Sequence, residues 1–139
     1  YNNSVHSHLA RSFLIKSRDV VIANNCISGS TLTAIKLGAE LGWKESGPAE
    51  NVLVENNYIT GCGYVSGVDA PSCITLSTEA QEQPPYLNKN IVIRNNVFDT
   101  EKRVAVLLKD AENVVVGNNM TSHSDYVKVE NCQNIEIAD

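Results

Sequence analysis

Glycine and proline are scarce, 8 and 4 among 139 residues, which excludes a collagen-like repeat and the Pro/Gly-rich low-complexity class. With 42% hydrophobic and 19% charged residues, the chain does not have a disordered composition either. Long apolar runs are missing: the longest, Val104 to Leu108, is five residues, against the ~20 that a membrane-spanning helix needs. No run of Lys or Arg occurs, and 16 acidic against 11 basic residues leave a formal charge of −5, so no nucleic-acid partner is expected. No signal peptide stands at Tyr1, which says little about compartment. The four cysteines show neither CxxC spacing nor a paired metal-ligand pattern. Cys62 and Cys73 could form a disulfide in an oxidising compartment, but buried free thiols are the favoured reading. GxSxG, HExxH, P-loop and dinucleotide fingerprints are absent, and no cofactor is expected.

What is abundant is asparagine: 16 residues, ten of them in five Asn-Asn pairs. Asn tolerates the left-handed backbone region better than other non-Gly residues, so this excess argues for turns and against a helical bundle. The pairs sit inside a repeat. Asp19-Val-Val-Ile-Ala-Asn-Asn-Cys-Ile27 aligns with Asn51-Val-Leu-Val-Glu-Asn-Asn-Tyr-Ile59 and Asn90-Ile-Val-Ile-Arg-Asn-Asn-Val-Phe98. Asn113-Val-Val-Val-Gly-Asn-Asn-Met-Thr121 and the truncated Asn134-Ile-Glu-Ile-Ala-Asp139 complete the set, and Asn2-Asn3-Ser4-Val5 reads as the tail of another copy. The pairs begin at positions 2, 24, 56, 95 and 118, a basal period near 22 stretched by insertions. That is a solenoid signature.

Within each copy β-branched residues alternate, which predicts a strand with one buried face. The Asn pair then turns the chain, and a short apolar step follows at Ile27, Ile59 and Phe98, with Thr121 the weak copy. A second strand is expected in each turn, at Phe13–Lys16, Ala34–Leu37, Cys73–Leu76, Val104–Leu108 and Tyr126–Val129. Three short strands per turn describe an all-β fold, a right-handed single-stranded parallel β-helix of about five turns, with stacked Asn amides able to hydrogen-bond along the axis. A β-sandwich would need hairpin turns such as Asn-Gly, and there are none. Residues 1–139 are thus read as one β-helix domain. Neither end carries an amphipathic cap over its strand edges, so the expectation is a segment of a longer β-helix or end-to-end self-association.

Insertions mark the functional faces of solenoids. Gly38–Glu50 and Ser77–Lys89 lie at the same corner of adjacent turns and should stack into one wall, with Gly61–Ser72 on the other side of the second strand. Between them lies the outward face of the second-strand sheet, at Leu14, Lys36, Thr75, Leu107 and Lys128, a fitting groove for a chain-like ligand. The groove candidates are Trp43, Tyr64 and Tyr86, and the acids Glu40, Glu45, Asp69, Glu79 and Glu82. Paired carboxylates suit glycoside hydrolysis, and an aromatic ring offers a flat apolar face to a sugar. Any single loop acid in an acidic chain is more often merely solvated, and Trp43 is as well suited to anchoring its loop as to binding. His6 and His8 would share one face of an extended segment, but two histidines without a third ligand are weak grounds for zinc. Arg11 suits an anion or hydroxyl contact, since it does not give up its proton.

The succession His8-Leu-Ala-Arg11-Ser-Phe-Leu-Ile-Lys16, Asp19-Val-Val-Ile-Ala-Asn-Asn25, Gly38-Ala-Glu-Leu-Gly-Trp-Lys-Glu-Ser-Gly47 and Asn51-Val-Leu-Val-Glu-Asn-Asn57 resembles the α-1,3-galactosidase-like β-helix proteins of glycoside hydrolase family 110, in the pectin-lyase-like superfamily. The resemblance covers most of the chain. Its Asn-Asn repeat is generic to such folds, and Gly42 to Gly47 is the more specific part. It implies cleavage of terminal α-linked galactose, with inversion and without a metal. Two departures stand out. Ala39 follows Gly38 where the family pattern carries Asp, and the family's Asp-Asp turn lies upstream of the Arg11 segment, while no Asp-Asp pair occurs here. The resemblance therefore implies one wall of a site, with Arg11, Glu40, Trp43 and Glu45 among its residues, and not the whole catalytic set.

The leading expectation is a carbohydrate-active β-helix acting on a galactose-containing glycan. Glu45 and Glu40 are its catalytic candidates, and Trp43, Arg11, Lys36, Tyr86 and Asp69 its substrate-binding candidates; no metal is expected. A non-catalytic glycan-binding or structural module is the rival from another class. A polysaccharide lyase or epimerase acting on uronates is the third reading, resting on Lys36 and Lys128. The expected compartment is secreted or periplasmic, of bacterial type.

Overall fold

Alternation of Val and Ile with polar residues builds strands too short to stand alone, so each must find its hydrogen-bond partners in the next copy of the repeat. The computed structural model shows how, and describes all residues except 45–46, 66–71, 80–85, 102–103 and 139. The chain winds through five turns of three strands. The first turn holds β1 (Ser4–His6), β2 (Phe13–Ile15) and β3 (Arg18–Ala23), and the second β4 (Cys26–Ser28), β5 (Ile35–Leu37) and β6 (Glu50–Glu55). The third holds β7 (Tyr58–Thr60), β8 (Ile74–Leu76) and β9 (Asn88–Arg94). The fourth holds β10 (Val97–Asp99), β11 (Val106–Lys109) and β12 (Ala111–Gly117), and the fifth β13 (Met120–Thr121), β14 (Val127–Glu130) and β15 (Gln133–Ala138). Corresponding strands pair in parallel into three five-stranded sheets, β1-β4-β7-β10-β13, β2-β5-β8-β11-β14 and β3-β6-β9-β12-β15. This is a parallel β-helix.

The register follows the repeat. Val52, Ile91 and Val114 stack in one column of the third sheet and Val54, Ile93 and Val116 in another, all buried. In the first sheet Val5, Ile27, Ile59, Phe98 and Thr121 align. Where Thr121 leaves that column short of bulk, Tyr126 turns into the core, its ring 6.2 Å from that of Phe98. Ile137, aligned with buried Val116, is 49% exposed in the fifth turn.

The corner between the third and first sheets explains the Asn pairs. The first Asn of each pair takes positive φ: Asn2, Asn24, Asn56, Asn95 and Asn118 all lie between 53° and 58°. The second points inward and forms a ladder. Asn3 donates to Asn25 Oδ1 (3.1 Å), Asn25 to Asn57 (2.8 Å), Asn57 to Asn96 (2.9 Å) and Asn96 to Asn119 (3.0 Å). Each Oδ1 also accepts the backbone N–H of the Asn before it. A second ladder, not foreseen from the sequence, runs along the outside through Asp19, Asn51, Asn90, Asn113 and Asn134, again at positive φ.

Candidate functional site

The second sheet carries the long insertions, and its exit corner brings charged residues from three turns together. Ala39 and Glu40 follow β5, and Glu79 follows β8, each two to three residues past the last strand position. The two segments continue the parallel ladder: Glu79 N–H donates to Ala39 O (3.0 Å) and Leu41 N–H to Glu79 O (2.9 Å), placing Glu40 and Glu79 side by side. The insertions therefore do stack where they leave the sheet. Gly38 makes the close approach feasible, since at φ 121° a Cβ there would fall 2.2 Å from the Ser77 carbonyl oxygen. At the far end of the insertions buried Asn88 ties them again, accepting from Ala49 N–H (3.0 Å) and donating to Thr78 Oγ1 (2.8 Å).

Among the described residues, three cations face this carboxylate pair. Lys16, just past β2, donates to Glu40 Oε2 at 2.5 Å. Arg11, just ahead of β2, lies 3.6 Å from Glu40 Oε1 and 3.9 Å from Glu79 Oε1. Lys36, in the middle of β5, is fully buried; its ammonium donates to Ser77 Oγ and lies 3.6 Å from Glu79 Oε1. A lysine at 0% exposure is tolerated only because acceptors and a carboxylate reach it. Glu79 Oε1 is itself out of solvent contact and, among the described residues, accepts no hydrogen bond; it lies between Arg11 and Lys36. Trp43 sits beside this cluster in sequence, on the 3₁₀ turn Leu41–Trp43 that starts one residue after Glu40, with 76% of its surface exposed.

This arrangement alters the groove read from the sequence. The outward column of the second sheet does contain Leu14, Lys36, Thr75, Leu107 and Lys128 in register. Its middle is not an open floor, however: Lys36, Thr75 and Leu107 are buried, and only Leu14 and Lys128 at the ends are exposed. Burial follows from the polar neighbours packed over it, Ser77 and Glu79 on Lys36 and Ser72 Oγ 2.7 Å from Thr75 Oγ1. Lys128 is paired with Glu130 at 2.7 Å, so both lysines on which the lyase reading rested are engaged with carboxylates. Tyr86 is half-buried at φ 62° on the return from the second insertion. Glu45, Asp69 and Glu82 lie outside the described residues.

His6 and His8 do not share the face of an extended segment, because Ser7 between them takes φ 58°. Ser7 occupies the corner position filled by Gly29 and Gly61 in the next turns, where the chain leaves the first sheet in the left-handed region. Among the described residues no group of His, Cys, Asp and Glu is arranged to hold a metal ion. Lys16 was missed as a site residue; its signal was its column, one past the strand, shared with Gly38 and Ser77 at the same corner. Also unforeseen is a cleft of about 820 Å³ between the first and second sheets, lined by Thr60, Tyr64, Asp99, Glu101 and His123 among others. At its edge Tyr58 donates to Asp99 at 2.5 Å, and that carboxylate raises the phenol above its ordinary value.

The chain is similar to alpha-1,3-galactosidase A of Bacteroides fragilis, 32% identical over 104 residues, which is 73% of this chain and 17% of the relative. It is 25% identical to alpha-1,3-galactosidase A of Bacteroides thetaiotaomicron over 139 residues, covering 91% of this chain and 23% of the relative. To alpha-1,3-galactosidase B of Akkermansia muciniphila it is 26% identical, covering 99% of this chain and 19% of the relative. The chain thus spans about a fifth of the length of the curated relatives it matches. No protein-family model matches it.

Proposed function

We propose that the chain is one stretch of a longer carbohydrate-active β-helix of the glycoside hydrolase family 110 type, acting on terminal α-galactosides, and that its stacked corner forms one wall of the sugar site. The observation that carries this reading is the placement of Glu40 and Glu79 on adjacent turns, with Arg11 across from both, at the corner where the sheet gives way to long insertions. Similarity to proteins named alpha-1,3-galactosidase over 73% or more of the chain supports it.

The proposed roles follow from what each side chain has left to offer. Both oxygens of Glu40 are turned to cations, so its part is to hold Arg11 and Lys16 in place rather than to face a glycosidic bond. Arg11 lies 3.6 Å from Glu40 Oε1 and 3.9 Å from Glu79 Oε1, a guanidinium beside two carboxylates, and its proposed part is a charged contact to a sugar hydroxyl. Trp43 supplies an exposed ring for the sugar's apolar face. Glu45, two residues further along the same insertion, is the proposed carboxylate of the reaction, as either proton donor or base for water. The rest of the catalytic set is assigned to the longer protein.

The test is galactose release from a terminal α-1,3-linked galactoside by the intact protein. Glu45→Gln should abolish turnover, by 10³-fold or so, with binding retained, as expected for removal of one catalytic carboxylate. Binding with no turnover by the unaltered protein would point instead to a glycan-binding module. Growth of absorbance from unsaturated uronate products would point to a lyase.

A further inference from the structure

Cys62 and Cys73 are eleven residues apart in the chain, yet their sulfurs lie 3.2 Å from each other. Both belong to the hydrophobic core, 3% and 0% exposed. The backbone around each is held by the neighbouring turns: Gly63 N–H donates to Ser30 O (3.0 Å) and Leu32 O (2.9 Å), and Cys73 N–H to Ala105 O (2.8 Å). The separation exceeds a disulfide bond of about 2.05 Å by little more than 1 Å. The two thiols differ in access. Cys62 lines the cleft of about 820 Å³ beside Tyr64, whereas Cys73 is fully buried and is not among the residues that line it.

We propose that Cys62 and Cys73 form an oxidisable pair, a modification site at which a small-molecule disulfide entering the cleft converts two thiols into one cross-link bracketing residues 63–72. The steps balance without a metal or cofactor. Cys62, as thiolate, attacks one sulfur of the reagent and releases one equivalent of reagent thiol, leaving a mixed disulfide on Cys62. Cys73 then attacks the Cys62 sulfur, the mixed disulfide breaks, and a second equivalent of reagent thiol leaves. Two cysteine thiols are oxidised, one reagent disulfide is reduced to two thiols, and the two protons pass to the leaving sulfurs. The order is set by access, since the sulfur that meets the cleft reacts first and its neighbour resolves it. The cross-link would join the exit of β7 to the start of β8, close to Tyr64 on the cleft. The proposal stands on this geometry alone and is independent of the sugar-site reading.

Oxidised glutathione is the probe. The folded, purified protein is incubated with it, quenched in acid, digested without reduction and mapped by mass spectrometry, with reagent thiol measured alongside. The expected result is a Cys62–Cys73 linked peptide and two equivalents of glutathione thiol per cross-link, reversed by dithiothreitol. A variant with Cys26→Ser and Cys132→Ser should behave the same, because exposed Cys26 and half-buried Cys132 take no part. Cys73→Ser should stop at glutathione bound to Cys62 with one equivalent released. If that variant does not fold, the map of the unaltered protein decides alone. Glutathione persisting on Cys62 beside an unreacted Cys73, or reaction confined to Cys26, would overturn the proposal.

Discussion

Asparagine serves this chain in two chemically different ways. Asn57 is 1% exposed, and its amide accepts from Asn25 N–H and Nδ2 while donating to Ile22 O, Glu55 O and Asn96 Oδ1. Asn57→Ala strips partners from several buried groups at once, each worth about 1–3 kcal/mol, and should cost about 3–5 kcal/mol in urea denaturation. Asn113 belongs to the exposed ladder, bonding Asn90 and Asn134 at φ 56°. Glycine accepts that φ and water replaces the lost bonds, so Asn113→Gly should cost about 1 kcal/mol or less. The inner ladder was legible in the sequence, because the doubled Asn at a constant offset from Val and Ile names its own corner. The outer ladder was not, because one Asn or Asp ahead of a strand reads only as a turn former, and its partners are set by the register of turns 21 to 39 residues away.

Strands and corners decide how the site is held. Gly38 brings the exits of β5 and β8 together, and the obstacle to a side chain there is the Ser77 backbone, which no rotamer change relieves. Gly38→Ala should lose roughly 3 kcal/mol or more of stability and separate Glu40 from Glu79. At β15 the constraint is electrostatic. Gln133 donates to Glu112 at 2.6 Å with Lys89 3.2 Å away, and Lys128 lies 2.7 Å from Glu130. Both carboxyls are thereby held below their ordinary values. A carboxyl lowered by folding contributes stability above the unfolded carboxylate range, lost as pH falls through the folded value. Amide protection factors in β14 and β15, corrected for the intrinsic pH dependence of exchange, should therefore fall on acidification below the usual carboxylate range, ahead of those in β6 and β9. Added salt at neutral pH should produce a weaker version of the same change. The corner holding Glu40 and Glu79 was legible from insertion lengths. The burial of Lys36 was not, since alternation marks the outward face of a strand but not what packs over it. Lys16 escaped because its significance lies in which carboxylate the neighbouring turn delivers to it.

As a whole molecule the β-helix is a rigid rod of nearly identical coils, and its individuality lies in the corners where coils are interrupted. Each turn buries its apolar side chains against the next, as Val52, Ile91 and Val114 do in one column. On the proposed reading, one corner of the repeated coils carries the charged and aromatic groups that a sugar site needs. The claim most at stake is that the Arg11–Glu40–Glu79 corner faces sugar in an α-galactosidase-like protein. The direct measurement is kcat/KM for galactose release from a terminal α-1,3-galactoside, for the intact protein and for Arg11→Ala. The account predicts turnover by the unaltered protein and a loss on the order of 10–100-fold in the variant, the loss expected when one charged hydroxyl contact is removed. No galactose release, or release at an equal rate with Arg11 gone, would contradict it.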